Sequence, residues 1–597
     1  MREFKFLEYN KLAQLLEGIE KPGRYIGNEI GISSKDLEKL RGDMMLVALA
    51  FPDIYEVGMP NLGLQILYDI INRHPSFSAE RVFAPFKDME GRLRHKDVLL
   101  FSLENRIFLD CFDLIGFSLQ HELLYSNVLN MLDLGGIEVR AKERPAGGPI
   151  ICAGGPAAVN PAPMSRFMDF MVIGDGEVVI IPVLESTARF RAGIIDKDAF
   201  LDEISRLDGI YVPSHYKYYY SSSGSIEKID PPVKVKKALL PDLDSARIVT
   251  RPVIPNIKPV HDRYAVEIMR GCGRGCRFCQ AGFIYRPVRP RDVKSLIEQA
   301  LEGLDNTGYD EISFLSLSTS DYKGLERLVK EVSKGAGDER LSVSLPSMRL
   351  DSFTVDMAEL VHQGRKTGLT FAPEAGSQRM RDIINKNITE KEIMDCIDSA
   401  FRKGWDKIKL YFMIGLPGET EEDVLEIAEL IKRIAFRARD SMIGQKRKRF
   451  SMKVSINVFN PKPFTPFQWA SQDEPEKLDK KFRLVLDNTK QKYINISWSD
   501  PERSRIECAL SRGDDRIADV IEDAWKNGAR FDNWTDMFHK QAWYDAFKNN
   551  GVEIGYYTSR KYQTRETLPW DIIDIGIKKE VLLSGYRKAL RMSGGLE

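Results

Sequence analysis

The chain carries no excess charge of either sign: 87 Lys and Arg balance 87 Asp and Glu across 597 residues. Affinity for polyanions comes mainly from surplus Lys and Arg neutralising phosphates, so this balance argues against a general nucleic-acid binder and leaves only local patches. Long hydrophobic runs are missing too. The strongest, Met44–Phe51 and Val178–Leu184, have the length of strands and fall well short of the roughly 18 residues of a membrane span. The N-terminus, MREFKFLEYN, has no apolar core of the secretory kind, which points to the cytoplasm and away from a membrane. Cysteine is sparse: seven residues, an odd number without an export signal, argue against a disulfide framework and for a cytosolic thiol or metal role. Glycine and proline, at 44 and 29 residues, stay at ordinary globular levels, which excludes collagen-like, low-complexity and disordered classes. At about 100–200 residues per domain, the length predicts three or four folded units.

Periodicity divides the chain. Residues 1–40 read as a helical lead-in, with LAQLLEGIE and then ISSKDLEKL, capped by Ser33 or Ser34. Over 41–190, short apolar strands (MMLVALAFP, FDLIGFSL, PIICAGGP, MDFMVIGDGE) alternate with helices (LGLQILYDIIN, NVLNMLDLG), the pattern of a Rossmann-like parallel sheet. Residues 191–256 are polar and Tyr- and Ser-bearing, and read as a linker with a hairpin or two. A second βα series fills 257–470, with strands YAVEIMRG, EISFLSLST, LSVSLPS, LTFAPEAG, KIKLYFMIG and KVSINVF and five helices between them, VDMAELVHQ among these. That is too few for a closed eight-stranded barrel. The expected fold class is therefore α/β: a Rossmann-like domain, then a (β/α)6 partial TIM barrel with its site at the strands' C-terminal ends, then a helix-rich module over 471–597.

Three of the seven cysteines are not scattered. RGCGRGCRFCQAGF sets Cys272, Cys276 and Cys279 in a C-x3-C-x2-C array directly after the first barrel strand. Three thiolates on one Gly-rich loop hold three irons of a cubane and leave the fourth open to an exogenous molecule. Gly271, Gly273 and Gly275 let the backbone turn tightly and direct N–H groups at the sulfides. A zinc site wants a fourth ligand, and the nearest histidine, His261, lies on the far side of the preceding strand. Inert packing of three cysteines would not need this spacing.

At these residues the sequence resembles the radical S-adenosylmethionine (SAM) superfamily, whose signature is this loop with an aromatic, here Phe278, before the last cysteine. The resemblance implies a [4Fe-4S] cluster held by Cys272, Cys276 and Cys279, SAM bound at the open iron, and reductive cleavage to a 5′-deoxyadenosyl radical. It implies that Phe278 packs near the adenine. Leu315–Asp321 (LSLSTSD) falls where the family contacts the methionine amino group, with Ser318 and Asp321 as candidates, although the usual Gly-Gly-Glu is absent. FAPEAGSQRMR resembles the Glu-x-Gly-Ser element of the fourth strand, making Glu374 and Ser377 candidates for ribose or methionine contacts and Lys386 a carboxylate partner. MIGLPGET resembles the fifth-strand motif behind the adenine, with Gly415 and Gly418 allowing close approach; read alone, it is an ordinary strand-to-helix turn capped by Thr420.

In the N-terminal unit, Asp53–Gly58, Ser118-Leu119, Gly154-Gly155-Pro156 and Gly174–Glu177 fall at strand ends. They resemble the D-x-H-x-x-G, S-x-L and GG elements of the cobalamin-binding domains of radical SAM enzymes, with Asp53, Tyr55, Gly58, Ser118, Gly154, Gly155 and Glu177 as candidate contacts. Tyr55 occupies the imidazole position, and a phenol is a poor cobalt ligand. The alternative stays open that these glycines serve tight turns only and the domain is a platform or lid. ERVFAPFKDMEGRLRH reads as an insertion between Gly58 and Ser118. As a whole the chain resembles a poorly characterised bacterial family of B12-binding-like radical SAM proteins.

The expected function is thus a radical SAM enzyme that functionalises an unactivated C–H bond, by methyl transfer where cobalamin is bound, with an electron donor such as flavodoxin or ferredoxin. A second reading makes the substrate RNA or a ribosome-associated component, with Lys446–Arg449 as a docking stretch, though such a run is more often a solvated helix end. A third is a non-catalytic iron–sulfur sensor or scaffold. His121 lies near the expected crevice and, as a lone histidine, reads as structural.

Overall fold

The structure, a computed structural model, describes residues 5–33, 35, 40, 44–246, 248–337, 341–346, 369–442 and 450–594. The helix expected at VDMAELVHQ, the basic run Lys446–Arg449 and most of ISSKDLEKL lie outside these residues.

The N-terminal unit is a six-stranded sheet in the order β2-β1-β3-β4-β5-β6. Its strands are β1 Met45–Phe51, β2 Phe77–Phe83, β3 Leu114–Ser118, β4 Ile150–Gly154, β5 Phe170–Val172 and β6 Ile210–Tyr211. The first five are parallel and β6 is antiparallel. Helices cover the sheet, so β1 and β2 are buried along their whole length, as parallel strands must be. The chain runs from β1 to β2 on one side and returns to β3 on the other, which puts the ligand-binding switch point at the C-terminal ends of β1 and β3.

Three elements differ from the sequence expectation. The segment read as an insertion is a βα unit, β2 and the helix Lys87–Lys96. Glu80 and Arg81 interrupt its apolar pattern, yet both are buried: Arg81 ion-pairs with Glu104 at 2.6 Å and Glu29 at 3.1 Å, and Asn105 donates to Glu80 at 2.6 Å. Val178–Leu184, of strand length in sequence, lies in the helix Gly176–Arg191 despite Pro182. Residues read as a linker with a hairpin or two do hold the hairpin Lys217–Tyr220/Ile226–Asp230, and in addition supply the helix Lys197–Ile204 and strand β6.

The second series supplies β7 Tyr264–Glu267, β8 Glu311–Leu315, β9 Ser342–Ser344, β10 Leu369–Glu374, β11 Lys407–Ile414, β12 Ser451–Val458 and β13 Ile494–Trp498. They pair in chain order as β7-β8-β9 and β10-β11-β12-β13, every pair parallel. The partial barrel thus gains a seventh strand, INISW, from the stretch expected to be a helical module; its half-exposed edge position explains its weak apolar pattern. The remaining C-terminal residues are mainly helical, pair Ile573–Asp574 with Val235–Lys236, and fold back on the N-terminal unit. Asn127 accepts from the Phe531 amide at 2.7 Å, Ser126 donates to Asp532 at 2.9 Å, and Trp534 donates to Asp53 at 3.0 Å. One apolar core consequently runs through the N-terminal sheet, the helix after the cysteine loop and the C-terminal helices. Among the described residues no helix is long and apolar enough to cross a membrane.

Candidate active site

The cysteine loop begins and ends on one short ladder. Met269–Arg270 pairs antiparallel with Arg289–Pro290, so residues 271–288 form a closed excursion from the C-terminal end of β7. Gly271 takes φ +88°, and a side chain there would meet the Pro287 carbonyl at 2.5 Å. Arg286 Nε ties the loop internally by donating to the carbonyls of Cys272 and Gly282 at 3.1 and 3.0 Å. The loop is also stitched to the segment after β10: the Arg277 amide donates to Ile384 O at 2.9 Å, its guanidinium to Asp382 O at 3.0 Å, and Asn385 Nδ2 to Gly275 O at 2.9 Å. Gln280 donates to Pro463 O at 3.3 Å, placing the Pro-rich segment after β12 over the same loop.

All three cysteines are half-buried and outside any disulfide. Burial pushes the Cys279 thiol up to about 11; the neighbouring Cys276 and Cys272 push the same way, and Lys386 opposes them. Cys279 thus lies within electrostatic reach of the other two cysteines and of Lys386. Among the described residues no three Cys, His, Asp or Glu side chains gather tightly enough to hold a single metal ion. A cubane asks for something else, since each thiolate binds its own iron corner, and three sulfurs spread over one loop fit that demand where a zinc ion would not.

Lys386 ion-pairs with Glu374 at 3.2 Å, and both side chains are mostly buried. Glu374 ends β10 at φ +69°, in the left-handed region a non-glycine residue seldom takes, and burial holds its carboxyl above the usual range while Lys386 opposes. Ser318, beyond β8, is 2% exposed and its hydroxyl finds no partner among the described residues. An orphaned buried hydroxyl at the barrel mouth suits a bound polar group. Asp321 is engaged otherwise, accepting from Arg274 Nε of the cysteine loop at 2.9 Å. Ser377 caps the helix Gln378–Ile383 and donates to Asp423 at 2.6 Å, while the Gly415 amide donates to Glu419 at 2.8 Å. Gly418 lies against Ser593, and Phe278 packs half-buried on the shared core.

A cavity of about 280 Å³, mostly apolar in lining, opens at the C-terminal ends of β3, β4 and β5. Gly116, Ser118, Gly154 and Gly155 form its small-residue floor, and Glu267 and Arg270 of the barrel close it. Glu177 lines it too, donating nothing and accepting from Arg270 Nη1 at 2.7 Å. Asp53, Tyr55 and Gly58 do not line it. The Tyr55 ring packs edge-on against Phe83, and its hydroxyl donates to Glu29 and accepts from the Asn256 amide. Gly58 is wedged against Phe83 and Phe51. His121 Nδ1 accepts from the Leu123 amide, a helix cap as expected of a structural residue.

Sequence reasoning passed over Arg270, Asp175 and Lys462. Arg270 opens the RGCGRGC stretch two residues before Cys272, and Asp175 sits inside GDGE, so position could have flagged both. Lys462, ion-paired with Glu122 at 2.7 Å and Glu507 at 2.8 Å, joins the three units in a way only the fold reveals.

Residues 266–431 match the model of the radical SAM superfamily, and residues 63–213 match a model described as radical SAM proteins, N-terminal. The chain belongs to the radical SAM superfamily. As a radical SAM enzyme it uses a [4Fe-4S] cluster and SAM. It is 27% identical to an uncharacterized protein of Methanocaldococcus jannaschii over 80% of this chain and 90% of that one. It is also 27% identical to tRNA-2-methylthio-N(6)-dimethylallyladenosine synthase of Thermotoga petrophila, over 46% of this chain and 58% of the synthase. Among solved structures, similarity extends to the methyltransferase TsrM of Kitasatospora setae with cobalamin and a [4Fe-4S] cluster bound (14% identity, TM-score 0.47, 73% of this chain and 78% of that one). The cobalamin-dependent enzyme OxsB with aqua-cobalamin and SAM bound is similar at 12% identity and TM-score 0.43, over 92% and 80% of the two chains.

Proposed function

We propose that this radical SAM enzyme binds a corrinoid in the cavity beside the cysteine loop and transfers a methyl group to an unactivated carbon. When bound, the cluster supplies one electron to the sulfonium of SAM, which yields methionine and a 5′-deoxyadenosyl radical. The chain's own residues prepare that event. Cys272, Cys276 and Cys279 hold the cluster, and Arg274, Arg277 and Asn385 fix their loop. Lys386 offers a cation to the methionine carboxylate, with Glu374 and the Ser318 hydroxyl as partners for the amino group and ribose. Phe278 lies on the adenine side; Gly418, packed against Ser593, and Gly415, packed against Leu478, serve the turn after β11 and leave no open space of their own. The observation that carries the corrinoid reading is the glycine-floored apolar cavity sharing a wall, through Arg270, with the cluster loop. Small residues leave space for one face of a macrocycle, the polar lining residues Ser118, Gln120 and Glu177 offer partners to its amide rim, and the buried Tyr55 leaves cobalt without a ligand from its loop. The electron donor in this reading is a flavodoxin or ferredoxin, and the compartment is the cytoplasm.

The test is anaerobic reconstitution with iron and sulfide, reduction, and measurement of methionine and 5′-deoxyadenosine, with hydroxocobalamin added to follow co-elution and a shifted visible spectrum. Turnover with corrinoid bound supports the reading; turnover without binding leaves the N-terminal unit a platform.

The similarity to tRNA-modifying synthases over 46% of the chain favours RNA as a second reading of the substrate. Salt-dependent RNA binding that survives charge reversal of Lys446, Arg447, Lys448 and Arg449 removes that stretch as its basis.

A further inference from the structure

The two arginines that face each other across the ladder at the base of the cysteine loop, Arg270 and Arg289, both donate to one carboxylate of the N-terminal unit, Asp175. Arg270 Nη1 reaches Asp175 Oδ1 at 2.7 Å and Glu177 Oε1 at 2.7 Å, while its Nε and Nη2 hold Glu267 at 3.0 and 2.8 Å. Every one of these side chains is 5–17% exposed. Asp175 also accepts from the Leu240 amide at 2.9 Å and directly precedes the helix Gly176–Arg191, whose first turn lines the cavity. The start and the return of the cluster loop are thus gripped by a residue that belongs to the wall of the other unit's cavity. Arg270, Asp175, Glu177 and Glu267 all line that cavity, and Arg270 is two residues from Cys272.

We propose that Asp175 and Glu177, acting through Arg270 and Arg289, are positioning residues that couple occupancy of the cavity to the reduction potential of the cluster. The proposal rests on the corrinoid reading for the identity of the occupant. A ligand that enters this cavity competes for Glu177 and Arg270, and Arg270 is itself part of the ladder at the loop's base. In a desolvated setting such a change in charge pairing is weakly screened. Coupling of this kind is reciprocal: if the occupant changes the cluster's potential, the cluster's oxidation state changes the occupant's affinity by the equivalent factor.

The experiment uses the full-length reconstituted protein. Cluster midpoint potential is read by EPR-monitored redox titration, and hydroxocobalamin affinity by spectral titration against oxidised and reduced protein, in the parent, Glu177→Gln and Arg270→Gln. Removing a carboxylate should shift the potential positive and removing the guanidinium should shift it negative, with iron content retained in Glu177→Gln. Opposite signs distinguish electrostatic coupling from loosening of the loop, which moves thermal stability and leaves no signed pattern. In the parent, hydroxocobalamin should shift the potential, and Glu177→Gln should shrink that shift. Unchanged potentials in both variants overturn the coupling. Binding of hydroxocobalamin with no shift in the parent overturns it as well while sparing the corrinoid reading; absence of binding, with signed shifts intact in the variants, overturns the corrinoid as occupant.

Discussion

Lys386 reaches back across the turn after β10 to pair with Glu374 at 3.2 Å, and the same ammonium group opposes the elevation of the Cys279 thiol. A carboxylate at φ +69° is held in an unfavourable backbone state by its surroundings, an arrangement more common at functional sites than in plain structural positions. The pair therefore makes a bridge between the fourth barrel strand and the cluster loop. Glu374→Gln should raise the Kd for SAM roughly 10–100-fold, the loss of one charge-assisted hydrogen bond, with iron content unchanged. Calorimetric titration of reconstituted protein checks this; an unaltered Kd removes Glu374 from the cofactor contacts.

Gly116 sits on the cavity floor, where a Cβ would meet Cys152 Sγ at 3.5 Å, an ordinary contact. The sheet therefore accommodates a Cβ at this position, and Gly116→Leu extends from it into space that a ligand would use. The expected outcome is at least about a tenfold loss of hydroxocobalamin affinity, the scale of one misplaced buried side chain, with folding retained by circular dichroism. Affinity equal to the parent's places the ligand elsewhere. Gly155 offers no such test, because at φ +110° its Cβ would strike the Leu119 carbonyl at 2.6 Å.

Burial pushes the Glu80 carboxyl up to about 7, with the charge of Glu104 adding to it and Ser102 and Asn105 opposing by donating hydrogen bonds. A carboxyl raised in the folded state keeps its proton where the unfolded chain has lost it. Its contribution to stability is fully present below the ordinary value of 4.5 and is lost as pH rises through about 7. The loss is on the order of 3 kcal/mol. Urea midpoints should fall between pH 5 and pH 8, and Glu80→Gln should flatten that fall; a variant tracking the parent at every pH contradicts the assignment.

The parallel architecture was legible because buried strands such as MLVALAF and KIKLYFMI announce themselves by continuous or alternating apolar residues. β2 was not, since Glu80 and Arg81 disguise a fully buried strand whose polar groups are satisfied only by residues distant in sequence, Glu29 and Glu104 for Arg81 and Ser102 and Asn105 for Glu80. Val178–Leu184 misled in the opposite direction: an apolar run of strand length is also what a helix buried on one face and Pro-interrupted looks like. At the site, the cysteine spacing was readable because cluster ligation is local in sequence. The Arg270–Asp175 and Lys462–Glu122 pairs were not, because each joins residues far apart in sequence that meet only in the folded chain.

The central claim is that one loop of three cysteines holds the cluster on which the chemistry depends. Iron and sulfide should be assayed in anaerobically purified and reconstituted parent and in the Cys272→Ala/Cys276→Ala/Cys279→Ala variant, alongside 5′-deoxyadenosine release from SAM. The account predicts four irons per chain and deoxyadenosine formation in the parent, and neither in the variant; iron retained by the variant, or a parent without iron, contradicts it.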